Sequence, residues 1–107
     1  MKIIKFLSII FILLPHSIKA NSNDLLIQSL KEGGKLIFIR HAYAPGSGDP
    51  INFNIKDCST QRNLNKEGRE QSATIGLSFK KHTIPIENII SSEWCRCKET
   101  TSIAFGN

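Results

Sequence analysis

Leu36-Ile37-Phe38-Ile39 is an unbroken apolar run, preceded by Gly33-Gly34-Lys35 and followed directly by Arg40-His41. A short run with no polar alternation predicts a strand covered on both faces, as in a parallel sheet, rather than an edge strand. This constrains the fold more than any other stretch, because parallel strands need neighbours reached through crossover helices. In open α/β sheets ligands gather beyond the carboxyl ends of the strands, which is where Arg40 and His41 stand. An Arg-His pair also arises by chance, so the pair alone assigns nothing.

The remaining elements follow from local signals. Ser22 or Asn23 caps a short helix running through Lys31, with Leu26 and Leu30 on one face and Gly33-Gly34 ending it. Gly33-Gly34-Lys35 is not a P-loop, since it lacks the upstream glycine and the Ser/Thr after the lysine, and it precedes the strand. From Ala44 to Cys58, Pro, Gly, Asn and Asp predict a loop folded over the strand end. Asn65 caps a helix to about Lys81, with Ala73, Gly76, Leu77 and Lys80 on one side; Pro85 marks the exit. Asn88 to Ser91 reads as a second short strand and Cys95 to Ala104 as another helix. The right-handed crossover rule then puts Ser91 to Arg96 on the same edge as Arg40 and His41.

The first 20 residues have the pattern of a removable secretory signal: Lys2 and Lys5, an apolar core from Phe6 to Leu14, and Ala20 at the cleavage site. Pro15, His16 and Lys19 end the run well short of the roughly 20 apolar residues of a membrane span. No stable span is expected after cleavage, and the product is exported, periplasmic or extracellular. Cleavage removes Lys2, Lys5 and Lys19 and leaves 11 basic against 9 acidic side chains in residues 21–107. No dense basic stripe interleaved with aromatics remains, which argues against nucleic acid as a partner.

In an oxidising compartment three cysteines predict one disulfide and one free thiol. Cys95 and Cys97 are too close in sequence to bridge easily, so Cys58 with either of them is the candidate pair. Neither His16 nor His82 stands in a zinc pattern with these cysteines, and no metal or cofactor is expected.

Four segments in succession carry a family resemblance: Arg40-His41-Ala42, Cys58-Ser59-Thr60-Gln61-Arg62-Asn63-Leu64, Gly68-Arg69-Glu70-Gln71-Ser72-Ala73, and Ser91-Ser92-Glu93-Trp94-Cys95-Arg96-Cys97-Lys98-Glu99-Thr100. Together they resemble the histidine phosphatase (phosphoglycerate mutase-like) superfamily over about Lys35 to Thr101. The resemblance implies an α/β fold: the N-terminal portion of a three-layer α/β/α domain with a mostly parallel sheet. It implies His41 as the nucleophile that accepts a phosphoryl group, and Arg40, Arg62 and Arg96 as the arginines on its oxygens. The substrate would be a phosphate-bearing small molecule. Ala42 stands where glycine is commonest in the family, Ala44 where a polar residue often touches phosphate, and Glu93 where proline is frequent. Neither Glu93 nor Glu99 is assigned as the general acid.

Family members bring a second histidine from a later strand, and this chain offers only His82, at a helix end, and His16, in the signal. Residues 21–107 therefore read as a partial, truncated histidine phosphatase domain, incomplete or inactive as an enzyme without the second histidine, with exposed apolar surface and poor solubility expected from two strands alone. Two alternatives stand beside the exported phosphatase. One is a non-catalytic or vestigial phosphate-binding module. The other is a small secreted interaction domain stapled through Cys58. Substrate identity, mutase against phosphatase activity and oligomeric state are not readable from these residues.

Overall fold

Polar caps, rather than apolar periodicity, place the regular structure. The computed structural model describes residues 21–106, so the signal segment expected over residues 1–20 lies outside the described residues. Helix α1 spans Ser22–Lys31, α2 spans Lys66–Lys81 and α3 spans Cys95–Phe105, with one 3-10 turn at Cys58–Thr60. The cap of α1 is Asn21, a residue earlier than expected, its side chain accepting from the Asn23 amide. Gly33 and Gly34 then take left-handed φ values of 72° and 63°, which glycine adopts without steric cost. Asn65 caps α2 as the sequence predicts, its Oδ1 accepting from the Gly68 amide at 2.9 Å. Asn65→Ala is expected to cost about 1 kcal/mol of stability, read from the urea midpoint. The first amide of α3 finds no cap on Trp94. Instead Cys95 N donates to Gln61 Oε1 at 3.0 Å.

The α/β expectation is overturned. Among the described residues there is no strand, and the one bridge joins Asn54 to Asp57. Lys35–Arg40 and Asn88–Ser91, expected as parallel strands, are irregular chain. Leu36 and Phe38 are 89% and 92% exposed, and Ile90 is 95% exposed. An extended segment becomes a strand only when a second backbone answers its N–H and C=O groups. Neither segment makes a backbone–backbone hydrogen bond among the described residues. The described residues thus form a small helical domain, not part of a three-layer fold around a parallel sheet.

Packing centres on the contact between α2 and α3. The buried face of α2 is small and polar, carrying Gly68 and Ser72, whereas Leu77, expected on one side with Ala73, Gly76 and Lys80, is exposed. A Cβ at Gly76 would overlap the Ala104 carbonyl of α3, and one at Gly68 would overlap the Tyr43 carbonyl, so both glycines permit close backbone approach. Ala42, Ala44 and Leu64 form the buried apolar cluster. Hydrogen bonds fix the chain around it: Ala42 N donates to Thr100 Oγ1 at 2.9 Å and Tyr43 N to Gln71 Oε1 at 2.8 Å. The segment after His41 is therefore strapped to both α2 and α3.

Of the two candidate pairings, the disulfide joins Cys58 to Cys95, with Cα atoms 5.7 Å apart, and Cys97 is free. Thiol titration of the denatured protein is expected to find one thiol per chain before reduction and three after it. Three thiols without reductant would refute the pairing. A disulfide is compatible with an exported protein. No helix among the described residues is long and apolar enough to cross a membrane.

Candidate functional site

The loop after Ala44 turns back through Gly46 and Gly48, at φ 87° and 70°, and delivers Asp49 to two arginines. Asp49 Oδ1 accepts from the backbone N–H of Arg62 at 2.9 Å. Both carboxylate oxygens accept from Arg96 Nη1, at 3.0 and 3.1 Å. Each side chain of this ion pair is only 10% exposed. The loop holds the Arg62 side chain as well: Nε donates to Gly48 O at 2.9 Å and Nη1 to Ala44 O. Arg96 lies over the Trp94 ring, its guanidinium carbon 4.5 Å from the centroid, and Trp94 meets Phe53 at 4.8 Å. Guanidinium stacking of this kind fixes the plane of the fork.

Two buried polar atoms here have no partner, Arg96 Nε and Asn63 Oδ1. Such groups are rare in folded proteins because each forfeits its hydration without replacement. The Asn63 amide is otherwise used, with Nδ2 donating to Cys58 O at 2.6 Å.

The backbone hydrogen bond from Arg62 holds the Asp49 carboxyl below its ordinary value of 3.8; burial opposes this, and the hydrogen bond and charge of Arg96 reinforce it. A depressed carboxyl pKa contributes stability that is complete above the unfolded value. That contribution disappears as pH falls through the folded one. Urea midpoints are therefore expected to drop below about pH 4, with Asp49→Asn losing that part of the pH dependence. An unchanged profile in the variant would assign the acid sensitivity elsewhere.

His41 is half-buried, and its Nδ1 lies 2.7 Å from Ala42 O. A carbonyl oxygen only accepts, so Nδ1 carries the hydrogen and, in the neutral ring, Nε2 keeps its lone pair. The same residue that fixes this tautomer is anchored to α3: Thr100 Oγ1 accepts from Ala42 N and donates to the carbonyl of Arg96 at 2.7 Å. Thr100 thus couples the position of the imidazole to the turn that carries Arg96.

Of the residues expected at the site, Arg62 and Arg96 come together on Asp49, and His41 is tied to Arg96 through Ala42 and Thr100. Arg40 is exposed and makes no hydrogen bond or ion pair among the described residues. Glu93 pairs with Lys98 at 2.8 Å, a hydrogen bond and charge that lower its pKa, while Glu99 pairs with Arg69 at 3.5 Å. His82 ends α2 and lines a separate hollow with Asp24, Ile27, Gln28, Lys31 and Glu32. No group of His, Cys, Asp or Glu able to hold a metal ion is present among the described residues.

The sequence reading missed Asp49, Gln61, Gln71 and Thr100. Thr100 had a signal, lying one helical turn after Arg96 and so on its face. Asp49 had a weaker one, as the acidic residue between Gly48 and Pro50 in a loop expected to fold over the end that carries Arg40 and His41. The arrangement is two arginines gathered on one carboxylate, linked through Thr100 and Ala42 to an imidazole whose Nδ1 is hydrogen-bonded. No family model, curated protein or solved structure matches the chain.

Proposed function

We propose that the protein is a phosphoric monoester hydrolase of the histidine phosphatase type, exported to the periplasm or the extracellular space. His41 Nε2 attacks the phosphorus of a small phosphomonoester, an N–P bond forming as the ester P–O bond breaks and the leaving oxygen takes a proton from water. Water then attacks the phosphohistidine, releasing inorganic phosphate and restoring the neutral ring. Arg62 and Arg96, with Arg40 from the adjoining segment, offset the charge on the phosphoryl oxygens.

The observation that supports this reading is the Nδ1 hydrogen bond to Ala42 O, which leaves Nε2 as the nucleophilic nitrogen while Thr100 ties the same residue to Arg96. Incubation with a generic aryl phosphate is expected to release phosphate, and His41→Ala to abolish the release. Wild-type turnover that His41→Ala leaves intact would remove His41 from the chemistry.

A second reading has its own support: Glu93 and Glu99 are both engaged in ion pairs, and Asp49 is held by Arg96 and by the backbone N–H of Arg62, so none of these three carboxyls is free to protonate a leaving group. On that reading the protein binds phosphate without turning it over. Saturable calorimetric binding of phosphate, lost in Arg96→Ala and unaccompanied by hydrolysis, would select it.

A further inference from the structure

We propose that Asp49 is the positioning residue of the arginine clamp: it fixes the guanidinium of Arg96 and the backbone of Arg62 so that their remaining N–H groups converge on a phosphoryl oxyanion. The inference rests on the phosphate-binding reading above. It adds a residue to which neither the sequence pattern nor the proposed chemistry gives a role.

One carboxylate ties together three stretches of chain, its own loop, the segment leading into α2 and the first turn of α3. A guanidinium is planar, so binding one terminal nitrogen to Asp49 while the ring of Trp94 lies beneath leaves the fork little freedom. Within that fixed plane Nε is buried and unpartnered, on a residue only 9% exposed. A buried donor held rigid and left without an acceptor is what an incoming oxyanion satisfies. The same loop sets the second fork, through Gly48 O and Ala44 O on Arg62. Groups that orient binding side chains in this manner govern affinity without touching the ligand.

Charge and geometry predict opposite signs, which makes the idea decidable. Removing the carboxylate raises the local positive charge by one, so a site governed by charge alone would bind phosphate more tightly without it. A site governed by positioning binds more weakly.

The test is calorimetric titration of inorganic phosphate into the full chain, as wild type, Asp49→Asn and Asp49→Ala, with the Arg96 Nε–H resonance followed by NMR in each. Wild type is expected to bind saturably. Asp49→Ala should bind about ten-fold more weakly or worse, and Asp49→Asn, which keeps an acceptor for Arg62 N–H, about three-fold more weakly. The Arg96 Nε–H signal should broaden in the folded alanine variant and shift less in the asparagine variant. Should the alanine variant fail to fold, the asparagine variant carries the comparison.

Equal or tighter binding in either folded variant overturns the inference and makes Asp49 a competitor for the clamp. An unaltered Nε–H signal in both folded variants also overturns it, leaving Asp49 a purely structural residue. Absence of phosphate binding by the wild type sinks the functional reading and this inference with it. That result is distinct from the other two, in which the wild type binds.

Discussion

Serine at both Cys58 and Cys95 is expected to lower the free energy of unfolding by about 4 kcal/mol, the chain-entropy value for a closed loop of this size. The bridged residues are 37 apart in sequence, so the cross-link denies the unfolded chain a large set of conformations. Little else compensates, because among the described residues the buried apolar cluster is only Ala42, Ala44 and Leu64. A loss of that size is a large share of the roughly 5–15 kcal/mol that stabilises a typical domain. Equilibrium urea unfolding of the double variant against the wild type reads it. The neighbouring contacts make the effect local as well as global: Gln61 accepts from Cys95 N and donates through Nε2 to the carbonyls of Asn54 and Ile55. Opening the bridge therefore loosens the 3-10 turn and the start of α3 together. A loss under about 1 kcal/mol would mean that the reduced, unfolded chain already keeps the two segments close.

Gly68→Ala is expected to destabilise the protein by about 2–3 kcal/mol, the range for overfilling a packed site. The sign is the informative part, since glycine to alanine at an open helical position gains about 1 kcal/mol instead. Here the added methyl would meet the carbonyl of Tyr43, a backbone atom that cannot rotate aside as a side chain would. Relief requires moving α2 away from the segment 41–44, and with it the Gln71 hydrogen bond to Tyr43 N. His41 lies two residues from the point of overlap, so the phosphate binding proposed above should be lost in the same variant while it is still folded at low temperature. A urea midpoint equal to or above that of the wild type would show that Tyr43 yields at no cost.

What could be read from the sequence divides along the range of the interactions. The cap at Asn65 and the end of α2 at Lys81 are decided by residues within a turn of each other, and both are legible. The start of α3 is legible too, although the group that caps it, Gln61, is 34 residues away and was not. The strands at Lys35–Arg40 and Asn88–Ser91 failed because a strand is a property of a pair, and composition describes only one member. The small face of α2 was legible only in part: Gly76, in the set expected on one side, does approach α3, but Leu77 of that set is exposed, and the buried Gly68 and Ser72 carry no apolar signal. Spacing narrowed the disulfide to Cys58 but could not choose between Cys95 and Cys97, since the two differ in the direction of their side chains on one helix. Arg62 and Arg96 were chosen by resemblance, and Asp49, which joins them, is separated from Arg96 by 47 positions.

The exposure of the apolar run has a practical reach. Exposure alternates along it, with Leu36 and Phe38 outermost and Ile37 and Ile39 each 42% exposed, and its amides make no backbone–backbone hydrogen bond among the described residues. Copies warmed together will cling through that ribbon before their helices melt, and scans will then report a clumping rate instead of an equilibrium. The apparent midpoint should slide with heating speed and with dilution, whereas chemical denaturation of dilute samples should not.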